Sequence, residues 1–222
     1  MSLGLFITLE GPEGSGKSTH AQRLVERLTH EGLPVLAVRE PGGTPLGEAI
    51  RHLLQHSSDG EVMCAESELL LFLASRAQLV QTVIRPALNR GDHVICDRFA
   101  DSTFAYQGYG RGFDLEHLIR INELAVQGLA PDLTLLLDVD IAEGFERLRA
   151  RQLRTQSSGD RIERAGLDFH ERVRHGFLEL ARRWPNRFVI IRTHRTRDAV
   201  AQDIFNAVTH MLGTRQKQEK KI

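Results

Sequence analysis

The run GPEGSGKS at residues 11–18 constrains this chain more than any other segment. It matches a P-loop pattern and sits between an apolar stretch at 6–9 and a helical periodicity that begins near Lys17. Phosphate oxygens need many donors at close range. Glycines at 11, 14 and 16 let backbone N–H groups turn inward where a Cβ would obstruct them, and the helix N-terminus adds its dipole. The pattern assigns Lys17 to the β- and γ-phosphates of ATP and the Ser18 hydroxyl to Mg²⁺. Gly11, Pro12, Glu13, Gly14, Ser15, Gly16 and Thr19 complete the ATP-binding run. A glycine-rich turn that binds nothing is the plain alternative, and it leaves the order of strand, loop and helix unexplained. Such a loop does not choose among a switch GTPase, a motor or transport ATPase and a small-molecule kinase. The second substrate has to be read elsewhere.

Short β-rich apolar runs recur at 5–9, 35–38, 93–96, 133–137 and 188–191, separated by stretches of helical period. That alternation predicts an α/β fold with a parallel sheet covered by helices. Leu24, Val25 and Leu28 form one helical stripe, and Leu118, Ile121, Leu124 and Ala125 another. Residues 65–88 read as one extended helix, kinked near Pro86 and stopped by the turn at Asn89, Arg90 and Gly91. The 222 residues suit a single domain at 1–213. An irregular insertion lies within it at 152–165, and residues 214–222 read as a flexible polar tail.

Lys and Arg total 29 and Asp and Glu total 29, so no net charge draws the chain to nucleic acid or an anionic membrane. No apolar segment is long enough to cross a bilayer, and the N-terminus lacks a leader pattern, which together predict a cytoplasmic protein. Cys64 and Cys96 are far apart and beside apolar segments, and are expected as reduced, buried thiols.

Asp97 and Arg98 follow the third apolar run, where parallel sheets place their ligands. Asp97 suits Mg²⁺ through water; Arg98 suits an acceptor phosphate or the transferring group. A plain Asp–Arg surface pair is the competing reading. In REPGGTPLGE, residues 39–48, Arg39 is a candidate charged contact beside a close-approach loop, and Thr44 with Pro45 equally makes an ordinary helix start. Phe72 and Arg76 share a helix face, so an aromatic and a guanidinium could meet a base together. Phe72 alone suits a core, whereas an unpaired buried Arg76 would be costly. Ser102, Thr103, Tyr106 and Gln107 suit a base edge and sugar, or else an N-cap and a surface helix. Six arginines between 147 and 164, around Ser157, Ser158 and Gly159, suit a lid that carries guanidinium groups to the phosphoryl and excludes water. A solvated helix end accounts for most of them equally well.

Taken in order, these motifs resemble the thymidylate kinase family from Phe6 to about Phe177. They are the P-loop with Glu13 at its third position, Arg39 to Gly43, Asp97 with Arg98, Ser102 to Gly108, and Asp160, Arg161, Ile162, Glu163. The resemblance implies the P-loop nucleoside monophosphate kinase fold, a five-stranded parallel sheet with helices on both faces. It also implies ATP- and Mg²⁺-dependent conversion of dTMP to dTDP, and a homodimer. Glu13 would contact the sugar, Phe72 would stack on thymine, Arg76 would reach a thymine carbonyl, and Arg98 would hold the acceptor phosphate. Thr103 and Gln107 would lie near the base, and Tyr106 would crowd the sugar 2′ position. Gly14 stands where one subgroup has arginine. The chain therefore resembles the bacterial type with its catalytic arginine in the lid, for which Arg151, Arg154 and Arg161 are the candidates. A GTPase would want an Asn-Lys-x-Asp segment, which the sequence lacks.

Overall fold

The computed structural model describes residues 3–56, 62–156 and 159–219. Five parallel strands, β1 (Phe6–Glu10), β2 (Val35–Arg39), β3 (His93–Asp97), β4 (Leu133–Asp138) and β5 (Phe188–Arg192), form one sheet in the order β2-β3-β1-β4-β5. The central strand β1 pairs Phe6 with Val94 on one side and Ile7 with Leu133 on the other. Each strand runs one residue or so past its apolar run into a polar residue. The polar ends therefore gather at the carboxyl edge of the sheet, where such folds bind ligands.

The helices are α1 (Lys17–His30), α2 (Pro45–Gln55), α3 (Ala65–Leu79), α4 (Arg85–Arg90), α5 (Ala100–Thr103), α6 (Leu115–Val126), α7 (Ile141–Thr155), α8 (Leu167–Arg183) and α9 (Arg197–Glu219). Strand pleating sorts the core into two layers. Ile7, Leu9, Ile95, Leu135 and Leu137 pack under α1 and α9. Phe6, Val94, Cys96 and Leu136 face the opposite way, toward a thicker layer built from α3, α4, α6 and α8. Thr8 and Glu10 share the parity of Phe6 and are fully buried beneath that thicker layer.

Four expectations need correction. The helix expected over 65–88 is interrupted by a π-helical turn at Val80–Ile84, and helix resumes through Arg90. Pro86 lies just after the π-helical turn within this continuous helical run, and Gly91 ends the helix with φ 90°. The segment after Arg98 is no surface helix: α5 opens into a second π-helical turn, Phe104–Gly110, most of which is buried. Cys96 is buried as expected, but Cys64 is exposed at the N-cap of α3. Finally, α7 extends to Thr155 and α9 to Glu219, so both the insertion at 152 and the tail at 214 begin as helix. Ser157 and Ser158 lie outside the described residues. No described helix is long and apolar enough to cross a membrane.

Candidate active site

A cleft of about 1200 Å³ opens at the carboxyl edge of the sheet. Its floor is the loop at 13–19, and Arg39, Phe72, Arg76, Asp97, Arg98, Ser102, Thr103, Tyr106 and Gln107 line the rest with Arg151 and Arg154. Gly11 and Pro12 lie beneath that floor: their carbonyl oxygens accept from Lys17 Nζ at 3.0 and 2.9 Å, with Ser15 Oγ at 3.2 Å. Burial, reinforced by Arg98, lowers the Lys17 ammonium to about 8. Gly11 is required by shape, since φ is 143° and a Cβ there would lie 2.3 Å from Leu137 O. At Gly14, φ is 73° and a Cβ would lie 2.0 Å from Gly144 O in α7. This backbone therefore has no place for an arginine at position 14.

Ser18 Oγ donates to Asp97 Oδ2 at 2.5 Å, joining the loop to the end of β3. These hard oxygen donors suit Mg²⁺, which takes few protein ligands and completes its shell from phosphate and water. Arg98, next along, has φ 71°, a rare conformation for a residue with a Cβ. Its pairing is not with Asp97. Arg98 Nη2 donates to Glu13 Oε1 at 2.6 Å and Tyr106 Oη at 3.1 Å, while Nη1 donates to Ser102 Oγ at 3.1 Å. Tyr106 Oη donates to the same Glu13 oxygen at 2.8 Å. Burial alone would raise the Glu13 carboxyl, but Arg98 and Lys17 outweigh it and hold it at about 2.

The strain at Arg98 is secured from below by Glu10, a residue to which the sequence reading gave no role. Glu10 accepts from Phe99 N at 2.7 Å and Ser102 Oγ at 2.6 Å. Burial, with Asp101 nearby, pushes its carboxyl up to about 8. Glu40 was likewise missed. It is buried against Arg76, whose Nε donates to it at 2.8 Å and whose Nη2 lies 2.7 Å away. Arg76 also donates to Thr103 Oγ1, Asn122 Oδ1 and the Phe99 carbonyl. All five guanidinium N–H groups are thus engaged. Arg39, by contrast, makes a two-pronged pair with Glu48 at 3.0 and 2.9 Å.

The three lid candidates separate in space. Arg161 turns away from the cleft onto Glu68 of α3. Arg151 lines the cleft and pairs with Glu163. Arg154 lines it, is exposed, and makes no ion pair among the described residues. Arg147, one of the six arginines read as lid residues, lines the cleft together with Thr193, Arg195 and Arg197, three residues that sequence reasoning overlooked. Carboxylates at strand ends would have flagged Glu10 and Glu40, and an arginine-rich loop after β5 would have flagged those three. Nothing local marks Asn122.

A phosphate-binding loop, a cleft that also receives an arginine–carboxylate–tyrosine cluster, and an arginine-bearing flap over both define a P-loop phosphotransferase acting between two nucleotides. The thymidylate kinase family model matches residues 9–204. The thymidylate kinase of Deinococcus radiodurans is 50% identical over 94% of this chain and 98% of its own length. That of Halothermothrix orenii is 46% identical over 92% and 96%. The crystal structure of thymidylate kinase from Ehrlichia chaffeensis superposes with a TM-score of 0.75 at 34% identity, covering 92% of this chain and 98% of that one. The chain belongs to the thymidylate kinase family.

Proposed function

We infer that this protein transfers the γ-phosphoryl group of ATP to dTMP, forming dTDP and ADP on the way to dTTP. The observation that carries this reading is the Glu13–Arg98–Tyr106 cluster, which meets the phosphate loop in the same cleft. An oxygen of the dTMP phosphate attacks the γ-phosphorus in line as the bond to the β–γ bridging oxygen breaks. The attacking oxygen is already anionic at neutral pH, so no strong general base is required. Ser18 and Asp97 would hold Mg²⁺, which when bound would supply charge neutralisation on the transferring phosphates. Lys17 orients the β- and γ-phosphates, Arg98 grips the acceptor phosphate, and the Glu13–Tyr106 pair packs against the sugar at its 3′ and 2′ positions.

Phe72 supplies a stacking face on the base. Arg76 meets a thymine carbonyl only by exchanging one of its present acceptors, so we give it first the task of holding Glu40, Thr103 and Phe99 together. Arg154 is our choice for the lid arginine, since it lines the cleft with no competing carboxylate. We further propose a cytoplasmic homodimer. Its surface would include Leu70 of α3 and Leu124 of α6, which are 56% and 79% exposed, and light scattering on the purified chain reads its mass. The decisive assay couples ADP release to a panel of monophosphates. We expect turnover with dTMP well above dCMP, dGMP and AMP; equal rates would remove the acceptor assignment.

A further inference from the structure

Glu68 lies outside the catalytic cluster, yet the second π-helical turn, through Gln107 and Arg111, and the lid, through Arg161, both converge on it. Its carboxylate is 1% exposed. Oε1 accepts from Gln107 Nε2 at 2.8 Å, and Oε2 accepts from Arg111 Nη2 at 3.1 Å and from Arg161 Nη2 of the lid. Burial would favour the protonated acid, but the Gln107 and Arg111 hydrogen bonds outweigh it and keep the carboxyl below the ordinary value. An ionised carboxylate only accepts, so the amide facing it has to present its NH₂.

We propose that Glu68 is a positioning residue for base selection: it holds the Gln107 amide with Nε2 toward α3 and leaves Oε1 to the cleft, so the pocket demands an N–H donor from the acceptor base. Gln107 is 2% exposed, lines the cleft, and its Oε1 receives no hydrogen bond from the described residues. The proposal rests on the dTMP reading. Thymine and uracil carry a hydrogen on N3, whereas N3 of cytosine is a bare acceptor that would face Oε1 with no proton between them. A buried polar site rejects such a mismatch strongly. Glu68 thus separates thymine from cytosine and is blind to uracil. Arg111 acts indirectly, by helping to keep the carboxylate charged.

The test is Glu68→Gln, whose amide no longer dictates how Gln107 turns. The preference for dTMP over dCMP in kcat/KM should fall by about tenfold or more, while the ratio of dTMP to dUMP stays at its wild-type value. Arg161→Met, which keeps the Gln107 contact, should retain both ratios whatever it does to kcat. A folded Glu68→Gln enzyme with an unchanged dTMP-to-dCMP ratio overturns the proposal, as does an equal loss against dUMP. Should that variant not fold, NMR on the wild-type enzyme reads the amide directly. The Gln107 NH₂ protons should keep their nuclear Overhauser contacts to the Glu68 side chain through a dTMP titration, and loss of those contacts on binding overturns the proposal. Wild-type enzyme that fails to prefer dTMP over dCMP overturns the acceptor assignment together with this proposal; failure confined to the variant or the NMR overturns the proposal alone.

Discussion

Residues 11–19 make the phosphate cradle from one uninterrupted run, whereas the facing acceptor wall draws Glu40, Phe72, Arg76, Arg98 and Gln107 from segments scattered between β2 and the second π-helical turn. The cradle is positioned by local means. Glycine conformations, a helix N-terminus and a lysine turned onto its own loop hold it together. The wall is held by buried charge instead. Arg76 ties Glu40 to Thr103 and Asn122, and Glu10 fastens the turn that follows the left-handed backbone of Arg98. A contiguous motif can lose one group and keep its shape. A wall built on shared buried partners loses shape and function together, because removing one partner strands another's charge.

The hardest test of this contrast is Lys17→Ala. Phosphoryl transfer should fall by about 10³-fold or more with every acceptor while the thermal melting temperature barely moves. A variant that unfolds instead would show the cradle to be as structurally interlocked as the wall. On the wall side, Arg76→Ala strands the Glu40 carboxylate, and urea unfolding should report a loss of about 3–5 kcal/mol. A loss under about 1 kcal/mol, the range of an exposed ion pair, would mean that Glu40 escapes to water. Because of that structural cost, a raised KM for dTMP in this variant speaks for base contact only after correction for the folded fraction.

The flap offers a sharper, smaller comparison. Arg154→Met should lower kcat by about 10²–10³-fold with little change in the KM for dTMP, the mark of a contact made in the transition state. Arg161→Met should leave kcat much nearer to wild type. Reversal of that order in steady-state assays would move the catalytic assignment to Arg161 and require its release from Glu68.

A further effect is a pH dependence with opposed signs on the two buried glutamates. The Glu13 carboxyl lies at about 2 in the fold against an ordinary 4.5, so its contribution is complete above about pH 4.5 and fades as pH falls toward 2. Glu10 is displaced upward to about 8, so its contribution is complete below about pH 4.5 and is lost as pH rises toward 8. Urea titrations from pH 5 to 8 should therefore show a stability decline in the wild type that Glu10→Gln flattens. An identical slope in the variant would place the Glu10 carboxyl near its ordinary value.

Much of the fold was legible in the chain itself. All five strands fall where the apolar runs lie; the inner strands β1, β3 and β4 are mostly buried on both faces and so have to be largely apolar. The phosphate loop could be read letter by letter, since its work is done by backbone geometry that particular residue types encode locally. Thr44 at the N-cap of α2, its hydroxyl accepting from Gly47 N at 2.9 Å, was legible for the same reason. The two π-helical turns and the positive φ at Arg98 were not, because no sequence period announces them and only the surrounding packing compels them.

The acceptor side divides likewise. The sequence brought forward Arg98, Phe72, Arg76 and Gln107 as side chains with the right chemistry, and Glu13 through the family resemblance. Tertiary structure decided who holds whom: Arg98 pairs with Glu13 across 85 residues and not with its neighbour Asp97, and Glu68 takes a lid arginine from 93 residues away. The same packing puts Arg151 and Arg154 on the cleft and turns Arg161 away from it. Residue types set what a group can donate or accept, and those are local properties. Which partner it meets depends on strand order and helix packing, which bring distant residues within 3 Å, and a buried charge is stable only once that meeting has occurred.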